Sequence, residues 1–238
     1  MLLPDRLTLM QRVQDAARHG YHHFTSGQTS PEKWPELLRK FNKLYSTDLK
    51  KTTRCNWRKR GDAVSLVYGC QSPSHESPCV VRWVLLSTEG IGLVHEREQL
   101  LHMPEARLEL AGYELVHDGK SWSWRMTKKR FQYWRDRIHG VAALHPERRT
   151  TGEDAAGKFD ADAEAIQDAL YNTPGFRLAR QQVGKLVQFL RMEWKRLRPN
   201  TGIQPRVRTF LPYVQRLPNK RCGNCSVDQP DRCCGHAD

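Results

Sequence analysis

The hydrophobic period of this chain changes twice, and that restricts its fold more than any other feature. Residues 6–19 (RLTLMQRVQDAARH) place Leu7, Met10, Val13 and Ala17 at helical spacing, and Gly20 stops the run. Ser30-Pro31 reads as a cap followed by proline at the first helical position. It opens a second helix over 31–45 with Trp34, Leu37, Leu38, Phe41, Leu44 and Tyr45 on one face. The pattern over 63–126 then becomes that of strands: AVSLVYG (63–69), VVRWVLL (80–86), LEL (108–110), YELV (113–116) and SWSWRM (121–126). Asp118-Gly119 marks a tight turn before the last of these, in which Trp122, Trp124 and Met126 alternate with polar residues. Helical spacing returns over 127–140, with Thr127 as cap and Phe131, Trp134 and Ile138 facing inward. The expected class is therefore α+β: a small, mostly antiparallel central sheet flanked by N-terminal and C-terminal helices, with a basic C-terminal arm.

The expected organisation is an α+β core over 1–146 and an exposed linker at 147–161. C-terminal helices follow over 162–198, the second opened by Pro174, then a basic, proline-rich arm over 199–221 and a cysteine-rich tail over 222–238. The length of 238 residues suffices for one medium domain plus an appendage. No stretch approaches the roughly 20 apolar residues of a membrane span, and MLLPDRLTLMQR does not read as a secretory signal. Seven unevenly placed cysteines do not resemble a secreted disulfide framework. The expected compartment is the cytoplasm, with the thiols free or bound to metal.

Charge carries the functional argument. The formal net charge is +13, an excess that favours an anionic partner: nucleic acid first, an acidic protein or membrane surface second. Arginine outnumbers lysine 26 to 13. The planar guanidinium fork suits phosphates and guanine edges, although GC-rich coding explains the same ratio. From Leu170 to Arg221 there are twelve Lys and Arg residues and a single acid, Glu193. On the long helix, Val183, Val187, Leu190, Trp194 and Leu197 form an apolar seam about 40° to either side of Val183. Arg177, Arg180, Arg191, Lys195 and Arg198 share one flank beside that seam, with Glu193 on the far side. A solvated helix face usually interleaves acids with its cations, and this one does not.

The arm extends the cations with Arg206 and Arg208, and its Phe210, Leu211 and Val214 equally suit a strap across the domain. A second cluster, KKTTRCNWRKRGD (50–62), gathers Arg54, Arg58, Lys59 and Arg60 around Trp57. That pattern fits a base-stacking platform or a loop that buries Trp57 on its way into the first strand, and both readings stay open.

Catalytic signatures are weak. LVHEREQLLH (93–102) has Gln99 where a metalloprotease helix needs its second histidine. There is no phosphate-binding glycine loop and no nucleophile elbow. Glu96, Glu98, Glu105 and Asp118 would make a nuclease-like carboxylate set only if the fold gathered them, and His22-His23 lack a second ligand pair at a recognisable spacing. The expectation is a protein without enzymatic activity. In the tail, Cys222-x2-Cys225-x7-Cys233-x2-His236 supplies three thiolates and an imidazole, a closed tetrahedral set for a structural zinc, with Cys234 as a substitute for Cys233. The competing reading is a tail of idle thiols. Cys70, His75 and Cys79, with Cys55, form a weaker set of the same kind.

Two stretches, HFTSGQTSPEKWPELLRKF and LPYVQRLP, resemble accessory proteins of proteobacterial plasmids and integrative mobile elements. The resemblance covers the two ends and the basic middle, and no catalytic residue transfers through it. It implies a mobile-element setting in which DNA or RNA binding is a common task. The combined expectation is a nucleic-acid-binding protein of such an element that holds DNA or RNA mainly by phosphate contacts. It would serve plasmid replication, transfer or regulation, or act beside partner proteins in a CRISPR-type ribonucleoprotein. The alternatives are an interaction protein or host-defence inhibitor that docks an acidic partner, and a metal-dependent nuclease.

Overall fold

Near-continuous apolar runs such as VVRWVLL belong to strands covered on both faces. The computed structural model, which describes residues 1–72, 80–143, 164–197 and 213–214, has this arrangement. Strands β1 (Leu2–Leu3), β2 (His23–Thr29), β3 (Ser65–Ser72), β4 (Val80–Ser87) and β5 (Leu101–His102) form one sheet in the order β1-β3-β4-β2-β5. Only the β1–β3 pair is parallel. One face of this sheet contributes Val64, Leu66, Cys70, Val84 and Leu86 to the main core. The other packs Val67, Val81 and Leu85 against Trp34, Phe41 and Tyr45 of α2 (Trp34–Tyr45) and Val94 of α4 (Leu93–Arg97). Gly27, Trp83 and Gly69 lie in one row across β2, β4 and β3. Indole rings lie close against both glycines: a β-carbon at Gly69 would stand 2.7 Å from the Trp34 ring, and one at Gly27 2.7 Å from that of Trp83.

The middle of the chain thus holds two sheets rather than the single one expected. The second is an antiparallel meander of β6 (Glu109–Leu110), β7 (Tyr113–His117) and β8 (Trp122–Met126). The predicted turn at Asp118-Gly119 is present: the Asp118 carboxylate accepts from the amides of Lys120 and Ser121 at 3.2 and 3.1 Å. Helix α1 (Arg6–Arg18) is the spine between the sheets, burying Leu9, Met10, Val13, Ala16 and Ala17. Asp5 caps it through the Thr8 amide at 2.7 Å. The indole of Trp124 on β8, 0% exposed, donates to the Met10 carbonyl of α1 at 2.9 Å. Burial of each such side chain contributes roughly 1.5–3 kcal/mol.

The remaining helices are α3 (Lys51–Lys59), α5 (Lys128–Ala143), a short α6 over 164–171 and α7 (Arg177–Leu197). Trp134 and Ile138 of α5 face inward as expected, with Phe131 partly buried. Several expectations shift. Residues 31–33 form a turn whose Ser30 carbonyl accepts from the Trp34 amide at 3.1 Å, so α2 starts at Trp34 with Pro35 in its first turn, not at Pro31. Residues 174–176 precede α7, which starts at Arg177 rather than Pro174. The basic stretch 51–59 is helical rather than a loop. Strands β1, β2 and β5 were not anticipated. The proposed linker at 147–161 lies outside the described residues. Among the described residues, no helix is long and apolar enough to cross a membrane.

Candidate nucleic-acid interface

Helix α7 positions the main basic flank, and its docking begins in its own sequence. Ala179, Val183, Leu186, Val187, Leu190 and Trp194 are buried along one seam. The helix lies along β8 and then along α5. The Leu178 amide donates to Ser123 Oγ at 3.3 Å, capping the helix start from a neighbouring strand. Gln182 clamps Met126 at the end of β8: its Oε1 accepts from the Met126 amide at 2.6 Å, and its Nε2 donates to the Met126 carbonyl at 3.2 Å. Farther on, the Arg135 guanidinium of α5 lies 4.7 Å from the Phe189 ring centroid.

The predicted flank exists, but its cations divide into two groups. Arg177 pairs with Asp118 at 2.7 Å and donates to Ser121 Oγ at 3.3 Å. The backbone amide of Ser121, with the Arg177 guanidinium, holds the Asp118 carboxyl far below the usual carboxylate range. Arg180 stacks at 3.5 Å over the ring of Tyr213, which the Val214 amide helps to anchor through the Gly175 carbonyl at 3.2 Å. This end of the flank is thus engaged within the fold. Arg191 and Lys195, about three turns farther along, are exposed and have no acidic partner among the described residues.

The one acid of the region lies on the far side from these cations, as expected, but it is not open to solvent. Glu193 is 8% exposed and faces α5. It accepts from Arg196 and from His139, each at 2.7 Å. The Arg196 guanidinium first, and His139 second, hold its carboxyl down at about 2. Its charge is spent locally and does not offset Arg191 and Lys195. The other predicted contacts, Arg198, Arg206 and Arg208, lie outside the described residues.

In the second cluster, α3 rests Trp57 partly buried against the main core, so the indole is not an open platform. Arg58 donates to the His19 carbonyl at 2.9 Å and stands 5.9 Å over the Tyr21 ring. Arg60 pairs with Asp62 at 3.0 Å. Arg54 is partly buried, its Nε without a partner among the described residues, and Lys59 is exposed.

Arg58 joins this cluster to a cleft that sequence reasoning missed. His19, whose carbonyl Arg58 holds, lines a cavity of about 740 Å³ between α1, the start of β8, the start of α7 and Tyr213. Arg12, Arg18 and Arg177 line it as well, with Asp15 and the nearly buried Gln14. The signal in the sequence was faint: Arg12, Asp15, Arg18 and His19 recur at helical spacing on the polar side of α1, as on any surface helix.

The possible catalytic and metal residues do not assemble. Glu98 accepts from the Tyr45 hydroxyl at 2.6 Å, Glu105 lies 3.5 Å from His102, and Asp118 belongs to Arg177. His23 packs against His95 and His102, each with ring centroids 4.9 Å apart. Among the described residues, no group of three or more His, Cys, Asp or Glu could hold a metal ion. Cys70 is buried in the core while Cys55 is exposed on α3, so the Cys70-centred ligand set is not formed by these two. His75, Cys79 and the tail set Cys222, Cys225, Cys233 and His236 lie outside the described residues. No family model matches this chain, and neither a curated protein nor a solved structure is similar to it.

Proposed function

We propose that the protein binds nucleic acid, DNA or RNA, mainly through phosphate contacts along α7 and the basic surface around it. The observation that carries this reading is the pair Arg191 and Lys195, exposed on a rigid helix without acidic partners among the described residues, on a chain of net charge +13. Cations that a fold does not pair internally are available to replace counterions on a phosphate backbone. The resemblance of the two end stretches to mobile-element accessory proteins, if it holds, would make the protein a replication or transfer factor or a subunit beside partner proteins in a nucleoprotein complex.

The test is fluorescence anisotropy of labelled single-stranded DNA, duplex DNA and RNA at two salt concentrations, with wild type and an Arg191→Glu/Lys195→Glu variant. The variant is expected to fold normally and to lose roughly tenfold or more in affinity at low salt. Unchanged affinity would remove α7 from the interface. No binding by the wild-type protein to any of the three would shift the reading to an acidic protein partner. The tail set extends the proposal to one structural zinc on Cys222, Cys225, Cys233 and His236. Elemental analysis of metal-replete protein should give about one zinc per chain, and Cys225→Ser should abolish it.

A further inference from the structure

Four of the ten histidines meet at one edge of the five-stranded sheet. His23 on β2 stacks on His102 of β5, with ring centroids 4.9 Å apart and planes 29° from parallel. The ring of His95 on α4 stands edge-on to His23 at the same distance, and His22 lies 6.4 Å from His102. The nucleic-acid reading makes no use of this cluster. The segment that carries His95 and His102 is lightly held. Strand β5 has two residues and α4 has five. Val94 and Met103 are the buried anchors at its two ends. Between and beside them, Glu98 accepts from the Tyr45 hydroxyl at 2.6 Å and the Met103 amide donates to the His22 carbonyl at 2.8 Å. Elements anchored by so few contacts open ahead of the rest of a fold.

The protons of the cluster give that opening a trigger. His23 Nδ1 is buried and has no hydrogen-bond partner among the described residues. A neutral imidazole tolerates this, because one of its ring nitrogens carries no proton. A charged imidazole does not: its Nδ1–H would be buried without an acceptor, between two further imidazoles. His95 offers no relief, because its Nε2 lies 2.8 Å from the Thr88 carbonyl and is committed there as a donor. The groups that face His23 are His22 on its own strand, His95 on α4, His102 on β5 and the Glu89 carboxylate in the turn after β4. Glu105 faces His102 at 3.5 Å but is largely exposed. Burial, then His95 and His102, lower the pKa of His23 and outweigh the attraction of Glu89. We propose that His23, clasped between His95 and His102, is an acid-sensitive latch: its neutral ring keeps 93–103 closed on β2, and in mild acid the segment opens and the ring takes a proton from solvent. Opening uncovers the stretch of β2 at His23 and Phe24 that β5 otherwise pairs. A ring that binds protons less readily in the closed form favours closure above its ordinary value of 6.5, and that contribution is lost as pH falls below it.

The experiment uses the full chain and does not depend on nucleic acid. Hydrogen–deuterium exchange is followed at about pH 7.5 and about pH 5.5, on either side of the histidine range, and corrected for the intrinsic pH dependence of exchange. Wild type is compared with His23→Phe, which keeps a ring between His95 and His102 and removes the titratable nitrogens. In the wild type the opening constant of 93–103 should rise severalfold, up to about tenfold, at the lower pH, the limit for one proton taken up on opening. Exchange in the buried stretch of α7 should not change, and His23→Phe should show no rise in 93–103. A rise that persists in His23→Phe, a rise spread evenly over the fold, or no rise in the wild type overturns the latch. Ring-proton NMR of the wild type gives a second reading that does not rely on the variant folding. His23, assigned through its backbone, should titrate below the ordinary value of 6.5; titration at or above that value overturns the proposal.

Discussion

Glu193 illustrates what one side chain can reveal. Its ordinary pKa of 4.5 is lowered to about 2, chiefly by Arg196 and then by His139. The ionised form is favoured by the fold, so the pair stabilises the protein above about pH 4.5 and loses that contribution as pH falls toward 2. Both partners are more than half exposed, which limits the net effect to about 1 kcal/mol. Glu193→Gln is therefore expected to cost about that much at pH 7 and nothing near pH 2, read by urea unfolding across that range. A helical wheel assigned Glu193 to the side away from the cations, and that much holds. The wheel carries no information on where α5 lies, so it could not show that Glu193 is a buried anchor. The same limit separates Arg177 from Arg191: both lie on one flank of the helix, but only the fold brings Asp118 to the first.

At the scale of elements, Gln182 supplies the clearest test. Met126 is 1% exposed and ends an edge strand, and both its backbone groups are met by this one amide. Gln182→Leu would leave a buried N–H unpaired and should cost about 2 kcal/mol. Gln182→Glu keeps the acceptor for that N–H and should recover part of the loss in denaturant titrations. Elements with strong periodicity were legible in the sequence: α1, the seam of α7, β3, β4 and the alternating β8 all lie close to where the pattern put them. Strand β2 was not, because HFTSGQT buries only Phe24 and has a glycine where the Trp83 ring needs room. Its strand character comes from pairing along its whole length with β4, a long-range contact. Helix α3 was hidden for a related reason: a short basic stretch without an apolar stripe reads as a loop until Trp57 finds a core to rest on. The cleft was illegible because its walls come from four separate segments between Gln11 and Val214, none of them unusual alone.

For the whole molecule, net charge sets the long-range behaviour. If phosphate contacts dominate binding, the logarithm of affinity should fall linearly with the logarithm of salt concentration. Removing the Arg191 and Lys195 contacts should then reduce that slope by about 2. A slope unchanged by the double variant would mean that the anion is held elsewhere on the surface, the cleft included.

Helix α3 buries no residue completely and is tied down through a partly covered Trp57 and the bond from Arg58 to His19. Elements so lightly anchored open before the rest of a fold unfolds. Deuterium uptake followed by mass spectrometry should therefore be fastest in 51–60 among the described helices longer than two turns, and slowest in the buried stretch of α7. If a nucleic-acid strand lies against both, its footprint should be a slowing of uptake over α3, where protection is there to be gained, and little change over α7, which is already closed.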